Sequence, residues 1–225
     1  MEWFLILFIV TGIIVFIVTL MLILYFQYIT PIPTSTLNES VSVVRTGIVN
    51  AFIYTSGFNT ILIDTGTSAK KLKKGLEFLN IDIHSISDVF FTHGDPDHIG
   101  GNSLFKNAQF HIGQESKVNN PTRYNFLQDK AIINIGEIKV QAISTPGHRL
   151  GHVIYKIDGE YLFTGDALRL KDGYVTPFLR IISSDFDKQV ESIKKISQLE
   201  DIRYMFTAHN GYTTNFEEAF KEWKE

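Results

Sequence analysis

Six residues constrain this chain more than any others: His93-Gly94-Asp95-Pro96-Asp97-His98. They follow Val89-Phe90-Phe91-Thr92, a short apolar run with the character of a buried strand. The fold must therefore carry two imidazoles and four turn-forming residues at the end of a core strand, with only Pro96 between Asp95 and Asp97. Carboxylates that close repel one another unless a cation lies between them. Imidazole and carboxylate donors together suit a divalent cation. Gly94 keeps the turn tight, Pro96 stiffens it, and Gly100-Gly101 lets the chain leave close to a site. The competing reading is a solvated acidic turn with two incidental histidines, because Asp, Gly and Pro are common in turns.

Polar segments close the other expected strands in the same way. Val41 to Val49 reads as a strand, and Ala51 to Thr55 and Thr60 to Asp64 flank the turn Ser56-Gly57-Phe58-Asn59. Asp64-Thr65-Gly66 ends that hairpin. Ile132 to Ile135 and Ile138 to Ile143 form a second hairpin, ended by Thr145-Pro146-Gly147-His148. Val153 to Ile157 and Tyr161 to Phe163 form a third around Asp158-Gly159, ended by Thr164-Gly165-Asp166. A strand near Ile202 to Phe206 leads into Thr207-Ala208-His209. Helices are expected after a cap at Thr67 or Ser68, with Ala69, Leu72, Leu76 and Leu79 on one face, and after a cap at Ser184 with Asp187, with Phe186, Val190, Ile193, Ile196 and Leu199 on one face. A last helix is expected over Phe216 to Trp223. Hairpins interleaved with helices imply an α/β layered architecture with polar loops gathered at one sheet edge.

Trp3 to Ile29 contains no charged residue and is long enough for a transmembrane helix, which needs about 20 apolar residues. Trp3, Tyr25 and Tyr28 stand near its ends, and Pro31 and Pro33 stop it. A cleaved signal peptide fits less well, since the run is too long and Met1-Glu2 offers no positive leader. The expected organisation is an anchor over 1–30, a Pro-, Thr- and Ser-rich linker over 31–40 and one domain over 41–225. No Lys or Arg precedes Arg45, so the positive-inside rule leaves the side of the domain open, with a slight lean to the cytoplasm.

Composition narrows the chemistry. The chain has no cysteine, which excludes disulfides, thiolate ligands and a cysteine nucleophile. It carries 21 basic and 24 acidic residues, a net charge of −3, and therefore no basic footprint for nucleic acid. Any metal must be held by His, Asp, Glu or backbone oxygen.

At this point the segments resemble a family. Thr92-His93-Gly94-Asp95-Pro96-Asp97-His98 is similar to the H-x-H-x-D-H signature of the metallo-β-lactamase superfamily. Thr145-Pro146-Gly147-His148 and Phe163-Thr164-Gly165-Asp166 resemble its second and third motifs, and His209 its final ligand. The resemblance covers about Val41 to Tyr212. It implies an α/β fold, a four-layer αββα sandwich, with two divalent metal ions at one edge. His93 and His148 would bind the first ion, Asp97, His98 and His209 the second, and Asp166 would bridge them. Asp64 resembles a carboxylate that orients a ligand histidine. The implied activity is hydrolysis by a metal-activated water, with Asp97 also able to accept a proton.

Asp95 departs from the pattern, which has histidine there. Two readings stand: Asp95 binds the first metal, or it is no ligand and the first site is weak. As a ligand it makes the site more anionic and richer in oxygen, which favours iron or manganese, although the fold implies zinc first. His152, Arg149 and Tyr212 lie close to ligands in sequence and are either substrate contacts or structural residues. His84 and His111 fall outside every cluster. The Thr-Pro-Gly-His and Phe-Thr-Gly-Asp segments resemble those of thioesterases of the glyoxalase II type. The expected substrate is a small ester, thioester or lactone. The alternative is a weakly catalytic or non-catalytic metal-binding membrane protein, a sensor or assembly partner.

Overall fold

The computed structural model describes residues 2–27 and 29–224. Two compact units divide between Thr30 and Pro31. The first holds helix α1, Glu2–Gln27, whose Trp3, Phe4, Phe8 and Phe16 are exposed. Among the described residues no helix is long and apolar enough to cross a membrane, so the span expected over residues 3–29 is not borne out there. The aromatic anchors expected at Tyr25 and Tyr28 lie outside the described side chains.

The second unit is built from two facing sheets. The first runs in chain order: β1 (Ser35–Thr36), β2 (Val41–Arg45), β3 (Asn50–Ser56), β4 (Asn59–Ile63), β5 (Ile86–Phe91), β6 (Gln109–Gly113) and β7 (Tyr124–Leu127). Its first four strands pair antiparallel and its last four parallel. The second is ordered β15-β14-β11-β10-β9-β8, from β8 (Ile132–Ile135), β9 (Ile138–Ser144), β10 (Val153–Ile157), β11 (Tyr161–Phe163), β14 (Tyr204–Phe206) and β15 (Tyr212–Thr213). A separate hairpin joins β12 (Arg169–Lys171) to β13 (Tyr174–Thr176).

Strand alternation explains the layers. Phe52, Tyr54, Ile61, Ile63 and Phe90 of the first sheet meet Val140, Ala142, Val153, Tyr155, Phe163 and Phe206 of the second in one core. The intervening residues face outward: Ala51, Ile53, Leu62, Val89 and Phe91 pack under α2 (Ala69–Phe78) through Leu72 and Leu76. On the far side, Ile154, Leu162 and Met205 pack under α4 (Phe186–Ser197) through Ile193 and Ile196, and beside α5 (Phe216–Ala219) through Phe216 and Ala219. A period of two puts successive residues on opposite faces, so a strand buried on both sides reads as a continuous apolar run. Each such Val, Ile or Phe contributes about 1.5–3 kcal/mol by leaving water. α3 (Pro96–Ile99) is a single turn that starts at Asp95.

The expected hairpins form, and the structure departs from expectation at five places. The strand expected over Val41 to Val49 stops at Arg45, where the Thr46 amide donates back to the Val49 carbonyl at 2.9 Å and turns the chain. Ser35–Thr36, inside the stretch expected as a linker, pairs with β2. The cap of α4 is Asp185, which accepts from the Lys188 amide at 3.1 Å, not Ser184 with Asp187. The reason is tertiary: the Ser184 and Asp185 amides donate to the His148 and Gly147 carbonyls at 3.0 and 2.9 Å, so the chain is still bound to that loop when the helix begins. α5 ends at Ala219, well before Trp223, whose indole N–H donates instead to the Val175 carbonyl at 2.9 Å. β6, β7 and the strands of the β12–β13 hairpin are three to five residues each and mix apolar residues with Gln, His, Asn, Arg and Lys, too short for periodicity to mark them.

Candidate metal centre

Five strand ends converge. Asp64 follows β4, Thr92 and His93 follow β5, His148 lies beyond β9, Asp166 beyond β11 and His209 beyond β14. The α3 turn lifts Asp97 and His98 into the same place. His93, His98, His148, Asp166 and His209 are all buried, while Asp95 and Asp97 are partly exposed.

Asp64 sets the geometry from below. Its backbone is left-handed, with φ +57°, which turns the carboxylate back under the site. Its oxygens accept from the Thr92 amide, the Thr92 hydroxyl and His98 Nδ1, each at 2.8 Å. A carboxylate here only accepts, so His98 donates through Nδ1 and turns Nε2 into the site. The Thr92 hydroxyl has one proton, given to Asp64, and so it accepts from His93 Nδ1 at 3.1 Å. His93 Nε2 is turned into the site in the same way. His209 Nδ1 donates to the Ile48 carbonyl at 2.6 Å, which frees its Nε2. Each of these three imidazoles is thus held by one nitrogen and offers the other.

The offered atoms gather in two trios, His93–His148–Asp166 and Asp97–His98–His209, with ligand atoms within 4.8 Å of one another in each. Asp166 lies between them. Its Oδ2 is 3.5 Å from both His98 Nε2 and His148 Nε2, and its Oδ1 is 3.3 Å from His209 Nε2. Asp97 Oδ2 is 3.6 Å from His209 Nε2 and 3.9 Å from His98 Nε2. Burial opposes charge on Asp166, but His209 and His98 outweigh it and hold the carboxyl well below its usual range. Burial likewise opposes charge on His98, yet Asp64 and Asp166 hold it well above the usual imidazole range. Burial and the neighbouring His98 push His93 down.

The donor set fits divalent metal ions. His93 Nε2, His98 Nε2, both His148 nitrogens and Asp166 Oδ1 are buried without a hydrogen-bond partner. A buried orphan of this kind costs about 1–3 kcal/mol, more if charged, and four of the five, His93 Nε2, His98 Nε2, His148 Nε2 and Asp166 Oδ1, are accounted for together by cations among them.

Supports reach in from further away. His152 is a positioning group rather than an open substrate contact: its Nε2 accepts the Asp166 amide at 3.1 Å, and its Nδ1 faces the Thr145 hydroxyl at 3.0 Å. Gly147, with φ +142°, lies so close to α4 that an added Cβ would sit 2.3 Å from Gln189 Cα. Gln189 in turn donates to the Asp166 and Ala167 carbonyls, both at 3.3 Å. Tyr212 is exposed and stacks on Phe206 at 5.6 Å. His111 is a core residue, bonded to Asp88 at 2.7 Å and stacked on Phe90, and His84 is exposed.

Asp95 meets a partner that its sequence neighbourhood does not announce. Its Oδ1 accepts from Arg149 Nε at 2.9 Å, and its Oδ2 lies 2.6 Å from Arg149 Nη2. The same Oδ2 is 3.5 Å from His93 Nε2 and 3.6 Å from His148 Nε2. Burial would raise this carboxyl, but His148, His93 and Arg149 together hold it far below its usual range. Also unforeseen is Phe178, a buried ring 5.3 Å from His148 and 5.6 Å from His209. Phe178 follows Pro177 in an irregular segment that offers no pattern to read.

The profile described as Metallo-beta-lactamase superfamily matches residues 44–113. A probable metallo-hydrolase of Methanocaldococcus jannaschii is 33% identical over 155 residues, which are 67% of this chain and 71% of that protein. The chain belongs to the metallo-beta-lactamase superfamily. It is a hydrolase of that fold, with its substrate unassigned. A hydroxyacylglutathione hydrolase of Hyphomonas neptunium is 28% identical over 162 residues, 69% of this chain and 59% of that protein. One of Buchnera aphidicola is 28% identical over 177 residues, 76% of this chain and 65% of that protein. The chain thus spans less than two thirds of the length of these two relatives. Among solved structures, a B3 metallo-beta-lactamase with an active site glutamic acid superposes with a TM-score of 0.65 at 16% identity, over 87% of this chain and 88% of that one. An archaeal superfamily protein of Sulfolobus tokodaii superposes with a TM-score of 0.64 at 19% identity, over 82% and 86%. At such identities the likeness is one of fold.

Proposed function

We propose that this chain is a metal-dependent hydrolase of a small ester, thioester or lactone, and that hydroxyacyl thioesters are its substrate class of first choice. One observation carries the reading: two histidine-rich trios meet at the buried carboxylate of Asp166. His93, His148 and Asp166 would hold one divalent ion, and Asp97, His98, His209 and Asp166 the other. Zinc is the first expectation, with iron and manganese as the alternatives. Such ions, when bound, lower the pKa of a water and polarise a carbonyl. The chain's own groups do the rest. Asp64 and Thr92 lock the imidazoles, and Ile48 orients His209. Asp97 has one oxygen towards the trio and is partly open to solvent, so it can take a proton at its carboxylate and release it. The hydroxyacylglutathione hydrolases among its relatives support the thioester preference.

The test is turnover by the full chain loaded with zinc, manganese or iron. Hydroxyacyl thioesters, simple esters, lactones, β-lactams and phosphodiesters are offered in parallel. Thioester hydrolysis is expected, with Asp97→Asn lowering kcat by 10²-fold or more, on the order of a lost general base. No turnover of any class with both sites filled would replace this reading with that of a metal-binding sensor or assembly partner.

We also propose that residues 3–29 hold the chain at a membrane. Support comes from 27 consecutive uncharged residues in the sequence. Thr11 and Thr19 in α1 add to it, since their hydroxyls donate to the Leu7 and Val15 carbonyls at 2.8 Å and need no water. Full chain that is released from membranes by alkaline extraction would remove this reading.

A further inference from the structure

Arg149 is half in solvent and half in the site, and almost every donor it has is spent. Nε and Nη2 form a fork on the two oxygens of Asp95, at 2.9 and 2.6 Å. Nη1 donates to the carbonyls of His148 and Ile182, both at 2.7 Å. The guanidinium is planar and rigid, so four contacts in one plane fix it. The two carbonyls hold it independently of Asp95. One is the backbone of a candidate ligand, and the other belongs to the short turn that leads into α4. Asp95 itself caps a one-turn helix and is partly exposed, and the Arg149 contact at 2.6 Å is nearer to its Oδ2 than the imidazoles of His93 and His148 are. Its side chain accepts no bond from the backbone N–H groups of that turn. What keeps Asp95 Oδ2 at 3.5 and 3.6 Å from His93 Nε2 and His148 Nε2 is therefore the fork.

We infer that Arg149 is a positioning residue that presents Asp95 Oδ2 to the His93–His148–Asp166 trio, so that aspartate and arginine together fill the place of a single neutral donor. The charge balance agrees with this. The guanidinium offsets the carboxylate, and the pair brings no net charge, as a neutral imidazole would bring none. Only the donor atom changes, from nitrogen to oxygen. Lysine would not serve equally, because a point charge on a flexible stem cannot hold two oxygens and two carbonyls in one plane.

The inference rests on the metal-site reading above, and the experiment separates the two. Zinc, and cobalt as a spectroscopic reporter, are titrated into the metal-free full chain against a chromophoric chelator, which resolves two binding steps. Arg149→Met is expected to weaken one step by about 10–100-fold, the usual cost of removing a group that orients a ligand, and to leave the other unchanged. Asp95→Asn is expected to weaken the same step, and the double variant to be no worse than the weaker single. Arg149→Lys, the gentler change, is expected to lose affinity in the same step and to alter the cobalt spectrum of that site alone. A wild-type chain that binds no metal overturns the metal-site reading itself. Two intact steps in Arg149→Met, a gain in affinity, or additive losses in the double variant overturn the role of Arg149 and leave the metal site standing. Should Arg149→Met fail to fold, unchanged affinity in Arg149→Lys overturns it equally.

Discussion

Asp64 shows how much one side chain decides at this site. It touches no position where a metal would lie, yet it accepts three hydrogen bonds at 2.8 Å and thereby sets which nitrogen His98 and, through Thr92, His93 turn into the site. Asparagine in its place keeps the size but brings two N–H donors to a spot surrounded by donors. One of the three bonds must break, and His98 loses its anionic partner. Asp64→Asn is expected to lower affinity at the Asp97–His98–His209 trio by about 10–100-fold, read by metal titration, and an unchanged binding curve would rule out the orienting role. Asp64 was legible in the sequence because it ends an apolar strand in a Asp-Thr-Gly turn. Arg149 was legible only as a neighbour of His148, because its partner Asp95 lies 54 positions away. Likewise the carbonyl that orients His209 belongs to Ile48, 161 positions away, and a backbone carbonyl has no signature at all.

At the level of elements, the site depends on how loops are tied to the helices behind them. α4 is held at both ends of its exposed face. At its start, Asp185 and Ser184 bind the Gly147–His148 loop. Towards its end, Lys195 Nζ reaches Asp129 at 3.3 Å and the Ser144 carbonyl at 3.0 Å. Asp129 also accepts the Ser144 amide at 2.7 Å, just before the Thr145-Pro146-Gly147-His148 turn leaves β9. Burial would raise the Asp129 carboxyl, but the Ser144 N–H and the Lys195 ammonium outweigh it and hold it lower than usual. Because the folded value is depressed, this contribution is complete above the unfolded value of about 3.9 and is lost as pH falls through the lower, folded one. The pair is largely exposed, so solvent screening limits it to no more than about 1 kcal/mol. Asp129→Asn is expected to flatten the acid limb of Tm against pH and to leave Tm near neutrality lowered by no more than that amount allows. An acid limb that is unchanged would dismiss the link. The hairpins and the two main helices follow from local periodicity. β6, β7 and the Asp185 cap do not, since each is chosen by a partner distant in the chain rather than by its own residues.

Across the whole domain, the two sheets bury one core between them and one beneath each helical layer, and the polar strand ends are left to one edge. Rigid strands entering from two sheets are what bring His93, His148, Asp166 and His209 within reach of one another. Local pattern in the chain was enough to set the three hairpins, the turn residues that end them and the side chains fit to bind metal, because backbone period and donor chemistry belong to each residue and its near neighbours. Only the folded molecule decided which nitrogen each histidine offers, that Asp166 lies between the two trios, and that Asp95 is shared with Arg149. Those outcomes depend on distances between segments far apart in the chain, and such distances exist only once the two sheets have packed.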